Sequence, residues 1–142
     1  MNYPLPRNHF IVQWGGTRIG FSEVGGLSID AQAPAFRDGS SLANSNSTMP
    51  GLLRYPNLVL KRAVQKGDNE FYAWINTVHN SAVERRDITV SLLDADNQPV
   101  VIWTFKNAFP ARLVYSSLES ENAGPMMEVL EIAHEGMRVQ NA

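Results

Sequence analysis

The 142 residues carry 12 basic and 14 acidic side chains, for a net charge of -2, and 44% of them are hydrophobic. That is the size of one domain, long enough to bury a core without disulfides. The pI near 5.9 argues against a nucleic-acid binder, which shows a basic stripe. Cysteine is absent, which removes disulfide frameworks, thiolate metal sites, cysteine nucleophiles and iron–sulfur clusters together. Charged residues make up 18% of the chain, below the ~25% of an ordinary soluble domain. The shortfall implies surface that ends up against other protein. No apolar run approaches the ~18–20 residues of a spanning helix, and Met1 to Arg7 lacks the apolar segment of a secretory signal. A soluble domain without stable membrane insertion is expected.

Pro4 and Pro6 keep the first residues extended. His9 to Trp14 alternates as a strand, Phe10 and Val12 against Ile11 and Gln13. Gly15-Gly16 supplies a hairpin turn into a return strand over Arg18 to Val24, with Ile19 and Phe21 on one face. Gly25-Gly26 marks a bulge or sharp bend before Leu27 to Asp30 resumes extension. Two double-glycine breaks so close together point to a strongly curved, barrel-like sheet. Residues Pro34 to Pro50 are small, polar and without periodicity. A loop of that length is either floppy or becomes ordered on a partner.

Pro56 to Val64 is a strand with Leu58 and Leu60 on one face, Val59 and Lys61 on the other. Asp68 is placed to cap the one helix, in which Phe71, Trp74, Ile75 and Val78 form a stripe at i, i+3, i+4 and i+7. Asn69, Glu70, Asn76 and Thr77 take the wet side. An aromatic stripe at this spacing reads as core, with the helix packed on a barrel wall or end. Arg86 to Leu93 alternates cleanly, with Ile88, Val90 and Leu92 inward and Asp87, Thr89 and Ser91 outward. Asp94 to Asn97 forms a hairpin connection. Val100 to Lys106 is apolar on both faces, Val101, Trp103 and Phe105 against Val100 and Ile102. That pattern requires a second layer or a neighbouring subunit. Asn107-Ala108-Phe109-Pro110 breaks the run before a short strand over Ala111 to Ser117, a polar loop over Leu118 to Pro125 and a closing strand over Met126 to Val139. In the closing strand Leu130 and Ile132 share one face and Met127 and Val129 the other, so either the phase slips or both faces are buried. The expected domain is mainly β, with about six or seven antiparallel strands and one short helix.

No constellation of catalytic residues stands out. His9, His79 and His134 lie on separate elements, none in the i, i+4 spacing of a helical metal pair. His79 near the helix end reads as a complement to the helix dipole. Asp94 and Asp96 begin like a calcium loop, but the glycine and distal glutamate of that pattern are missing, and turn residues in water explain them. Glu119 and Glu121 carry no mark beyond loop carboxylates. There is no G-x-S-x-G elbow, and the glycine pairs fit neither a dinucleotide fingerprint nor a phosphate loop. Arg85-Arg86 is too short for a nucleic-acid patch. No enzyme, cofactor, metal site or nucleic-acid specificity is expected.

Several phrases, in order along the chain, resemble contractile phage tail tube proteins. Tyr3-Pro4-Leu5-Pro6 with Phe10-Ile11-Val12 is similar to the family's opening, and Phe21-Ser22-Glu23-Val24-Gly25-Gly26-Leu27 to its second-strand motif. Phe36-Arg37-Asp38-Gly39 follows, then Met49-Pro50-Gly51 and the return strand ending in Lys61-Arg62. Phe71 to Ile75, Arg86 to Val90, Trp103-Thr104-Phe105, Asn107 to Pro110 and Glu131 to Gly136 complete the set. The resemblance spans nearly the whole chain as a single tail-tube domain, 1–142, and is strongest to inner-tube subunits of phage-tail-like contractile injection systems. Type VI secretion tubes are more distant. The stretch from Ser40 to Thr48 is longer and richer in Asn and Ser than the family pattern.

The resemblance implies a small antiparallel β-barrel flanked by one helix. Six copies close into a ring, their inner strands join into a β-lined channel, and rings stack into a tube. The long loop reaches the neighbouring ring, with Arg37, Asp38, Ser40, Asn44, Asn46, Thr48 and Met49 as contact candidates. Thr89 and Ser91 are candidates for the lumen wall. The implied partners are further copies of the chain, a contracting sheath, baseplate or tube-initiator proteins, a tail terminator cap and lumenal cargo. The implied location is a particle assembled in the bacterial cytoplasm, then released or anchored in an envelope. Three other readings stay open: a tube-initiator or baseplate ring paralogue, a bacteriophage virion tail tube, and a monomeric barrel that binds a small ligand.

Overall fold

The computed structural model describes residues 4–16, 20–32, 35–36, 47–48, 51–80 and 83–141. Its main sheet has seven antiparallel strands: β1 (Phe10–Gln13), β2 (Glu23–Gly25), β7 (Leu58–Ala63), β8 (Arg86–Leu93), β9 (Pro99–Tyr115), β10 (Met127–Ala133) and β11 (Met137–Asn141). Four two-residue strands, β3 (Asp30–Ala31), β4 (Ala35–Phe36), β5 (Ser47–Thr48) and β6 (Leu53–Arg54), lie between β2 and β7. One helix, α1 (Glu70–Ile75), follows β7.

The 17 residues of β9 serve two sheets. Its first half pairs with β8 on one side and β11 on the other, and β8 pairs with β1. These four strands make sheet A. The second half of β9 pairs with β10, which pairs with β7, which pairs with β2, making sheet B. The strand order runs from β1 to β2 with no ladder joining those two ends among the described residues. The barrel therefore has a seam between β1 and β2, and a groove of about 620 Å³ runs along it, lined in part by Phe10, Phe21, Val24 and Trp103.

The core lies between the two sheets. Ile88, Val90 and Phe105 from sheet A face Leu58, Leu60, Leu130 and Ile132 from sheet B, all at most 2% exposed. Each such side chain contributes roughly 1.5–3 kcal/mol by leaving water. Trp14, Phe21, Phe71 and Trp74 close one end, with Trp14 and Phe71 edge-to-face at 5.0 Å.

Several expectations need correction. No ladder joins the two strands of the predicted Gly15-Gly16 hairpin among the described residues: β1 pairs with β8, about 80 residues on, and β2 with β7, while Arg18 and Ile19 of the predicted return strand lie outside the described residues. The predicted break at Asn107 to Pro110 is a bulge inside one continuous strand. Asn107 takes φ +49°, and its N–H is held at 3.0 Å by the Asp87 carboxylate. The predicted closing strand over Met126 to Val139 divides at His134, so that β10 and β11 follow the two halves of β9. No phase slips within β10, where Leu130 and Ile132 are buried and Met127 and Val129 half-buried.

Asn69 stands at the helix cap, although the Asp68 carboxylate does accept the Glu70 N–H at 3.1 Å. The helix tightens after Ile75 into a 3-10 turn, Asn76–Asn80. Three residues per turn swing Val78 off the predicted stripe, leaving it 46% exposed. No helix among the described residues is long and apolar enough to cross a membrane.

Candidate functional site

Sheet A turns one face to the core and the other away from it, and the outward face is mostly polar. Strand register places Gln13, Thr89, Thr104 and Arg138 in one row across all four strands, with Ile11, Ser91, Ile102 and Gln140 in the next. Thr89 and Ser91 thus share a face. Thr89 is half-buried, whereas Ser91 is 5% exposed between Ile11 and Ile102. Gln13, Thr104, Arg138 and Gln140 belong to the same face and escaped the sequence reading. The alternation of Arg138 and Gln140 with Met137 and Val139 was the available signal. Ile102 supplies the apolar side chain opposite Trp103, and Thr104 keeps the rest of that face polar. Both edges of the sheet, β1 and β11, pair on one side only among the described residues.

Between β2 and β7 the chain leaves the body as an arm. Asp30 pairs with Arg54 and Ala31 with Leu53; farther out Ala35 pairs with Thr48 and Phe36 with Ser47. The loop expected over Pro34 to Pro50 is therefore partly a β-ribbon, with one extra residue on its returning side, a bulge. Gly51 sits at that bulge. Its N–H donates to the Gln32 carbonyl, and a Cβ there would stand 2.6 Å from that oxygen. At the root Gly26 has φ +79°, and a Cβ would overlap the Asn57 carbonyl oxygen. Of the loop-contact candidates, Arg37, Asp38, Ser40, Asn44, Asn46 and Met49 lie outside the described residues. Thr48 is placed by its backbone pairing with Ala35. The described arm lacks a core of its own: Ile29, Leu52 and Leu53 are 42%, 81% and 57% exposed.

At the opposite end of sheet B a buried cation ties the helix to the barrel. Arg62, 1% exposed, donates from Nε to Glu128 at 2.7 Å and from Nη2 to Asp68 at 3.1 Å. Its guanidinium lies 4.0 Å from the Phe71 ring centre and faces Trp14 and Phe21 at 5.4 and 5.9 Å. Nη1 has no hydrogen-bond partner among the described residues. Beside this cluster, partial burial and then the Glu128 charge push the Tyr115 hydroxyl above its ordinary pKa, with Arg62 opposing. On the far side of the helix the Trp74 indole N–H donates to the Glu84 carbonyl at 2.8 Å, and Arg86 stacks 4.5 Å from the Trp74 ring.

His134, Asp94 and Glu119 make hydrogen bonds within the fold. His134 accepts the Gly136 N–H at Nδ1 and bonds the Pro56 carbonyl through Nε2 at 3.1 Å. Asp94 accepts the N–H groups of Asp96 and Gln98 in its hairpin. Glu119 and Glu121 lie in the exposed loop between β9 and β10, where Glu119 accepts from Asn122. No three metal-binding side chains cluster among the described residues.

A curved barrel with an outward polar sheet, open edges, one buttressing helix and an unsupported arm defines a structural protein of the assembling kind. The chain belongs to the T4-like virus tail tube protein gp19 family, whose model matches residues 6–138. It is similar to a chain in the cryo-EM structure of the anti-feeding prophage cap, AFP tube terminating cap. That match has a TM-score of 0.88 at 30% identity and covers 100% of this chain and 94% of the other. It is also similar to a chain in the PVC sheath-tube complex of an extracellular contractile injection system in the extended state. There the TM-score is 0.86 at 30% identity, covering 99% and 93%. Hcp1 from Flavobacterium johnsoniae shares the fold, with a TM-score of 0.56 at 14% identity over 94% and 96%. No curated protein matches the sequence. The chain is a phage-tail-like tube protein, a structural component of contractile injection systems.

Proposed function

We propose that this chain, as a single tube domain, forms the inner tube of a contractile injection system. Six copies close into a ring, rings stack, and a contracting sheath drives the rigid tube through a target envelope to deliver cargo carried in the lumen. Sheath, baseplate or initiator, and terminator cap are its assembly partners. The work is mechanical, without catalysis or cofactor, in a particle assembled in the bacterial cytoplasm.

The observation that carries this reading is sheet A. Unpaired strand edges invite pairing with another chain, and closing them between subunits removes the liability. Joining β11 of one copy to β1 of the next would turn six short sheets into one continuous wall. The row Gln13, Thr89, Thr104 and Arg138 would then face the channel, a polar lining suited to cargo passing without sticking. Ser91 contributes to that wall from beneath Ile11 and Ile102. The arm, including Arg37, Asp38, Ser40, Asn44, Asn46, Thr48 and Met49, reaches the adjacent ring.

Negative-stain electron microscopy of the purified chain, with its mass in solution, tests the reading. Six-fold rings or stacked tubes are expected. A strict monomer holding a small molecule in the seam groove would overturn it in favour of a ligand-binding barrel.

A further inference from the structure

The large apolar side chains left in water are not spread evenly. Ile29, Leu52 and Leu53 stand at the root of the arm, which enters β7 at Leu58. At the other end of β7, beyond Ala63, four more are exposed: Val64 at 40%, Tyr72 at 49%, Tyr115 at 44% and Leu118 at 87%. Backbone pairing brings Val64 and Tyr115 to either side of β10, and Leu118 lines one hollow with Ser116 and Met126. Ala63 pairs with Met127, Val64 donates to the Met126 carbonyl, and Ser116 donates to the Met127 carbonyl. Tyr72, on α1, follows Phe71, whose ring centre lies 4.0 Å from the Arg62 guanidinium at this same end of β7. The two patches are therefore separated by the length of β7, roughly 17 Å at ~3.3 Å per residue.

From this geometry we infer that the patch formed by Val64, Tyr72, Tyr115 and Leu118 is the seat for the arm root of a second copy in the next ring. The inference rests on the tube reading. A tube grown by stacking repeats one head-to-tail contact, which must join two different surfaces at opposite ends of the subunit. Ile29, Leu52 and Leu53 supply one apolar surface of that kind and the tyrosine–leucine patch supplies the other. Isolated exposed leucines need no explanation, but grouped ones mark interaction surfaces. Neither patch lies on the edges of sheet A that ring closure uses, so stacking and ring closure draw on separate surfaces.

The absence of cysteine allows a direct test. The double variant Leu52→Cys with Leu118→Cys is treated with a short bis-maleimide, in parallel with Leu52→Cys paired with Val78→Cys. Within one copy the first two positions are at opposite ends of sheet B, so linkage must join copies. The expected result is a ladder of covalent dimers, trimers and longer chains for the first pair and none for the second. Leu118→Asp is expected to abolish tubes while leaving single rings in electron micrographs and the thermal transition unchanged. Tubes from Leu118→Asp, or rings and tubes without the ladder, would overturn this inference and leave the tube reading standing. A chain forming neither rings, tubes nor ladder would overturn both. A ladder that stops at dimers would show the patches meeting their own kind in a closed pair, which also overturns it.

Discussion

Around Arg62, Phe71, Trp74 and Glu128 the protein is almost fully buried, while at the other end of sheet B Leu52 is 81% and Leu53 57% exposed. The first region is held by side chains: a guanidinium bonded to two carboxylates and faced by three aromatic rings. The arm is held by backbone pairing between two-residue strands, and two such strands alone are marginal in water. The contrast separates what the subunit needs in order to fold from what it needs in order to assemble. Damage to the buried cluster at the helix end should appear as lost stability, and damage in the arm as lost stacking.

The largest effect is expected from Arg62→Ala, which leaves Glu128 buried beside no cation. Breaking a buried pair in this way costs about 3–5 kcal/mol. Chemical denaturation should register it, and Arg62→Met combined with Glu128→Leu should recover part of the loss, since the Glu128 charge is gone while Asp68 loses its cation and keeps the Glu70 N–H. Phe71→Ala should cost a comparable 3–5 kcal/mol by opening a cavity. Val78→Ser, on the residue that the 3-10 turn carries into solvent, should stay within about 0.5 kcal/mol.

Two glycines sharpen the comparison with one substitution. Gly26→Ala places a Cβ on the Asn57 carbonyl at a positive φ and should cost roughly 1–3 kcal/mol or more in the denaturation midpoint. Gly51→Ala pushes the arm strands apart at their bulge and should leave the midpoint of the body nearly unchanged while micrographs lose stacked tubes.

The smallest expected effect concerns pH. The Tyr115 hydroxyl is raised above its ordinary value by burial and by Glu128, so the folded protein holds that proton more tightly than the unfolded chain does. The resulting stabilisation is complete below the unfolded tyrosine value near ~10 and is lost as pH rises through the folded value. Stability measured from pH 9 upward should therefore fall slightly less steeply in Tyr115→Phe than in the parent.

Strands with one buried face were legible. Leu58 and Leu60, Ile88 and Val90, and Leu130 and Ile132 alternate with more exposed neighbours, and all six are buried. Pairing partners were not legible, because alternation fixes a strand's faces but not which distant strand lies beside it. The β1–β8 ladder is the example. The continuity of β9 was hidden by Asn107 and Pro110, residue types that end strands when no bulge receives them. The pairing of Pro110 with Ile132 falls beside a register shift, which is where a strand tolerates proline. The Arg62 cluster left a trace that was passed over. Arg62 continues the buried phase of Leu58 and Leu60, and Glu128 occupies the same phase as Leu130 and Ile132. Opposite charges at core phase in two strands signal a buried pair. That Thr89 and Ser91 share the face of β8 turned away from the core was legible from β8 alone. Gln13, Thr104 and Arg138 joined them only when register across sheet A was known.

The most direct test of the central claim is a cryo-EM reconstruction of tubes assembled from this chain, asking which sheet faces the channel. The account expects rings of six whose channel is lined by Gln13, Thr89, Thr104 and Arg138, with β1 of each copy paired to β11 of its neighbour. A channel lined instead by Lys61 and Glu131, on the outward face of sheet B, would contradict it.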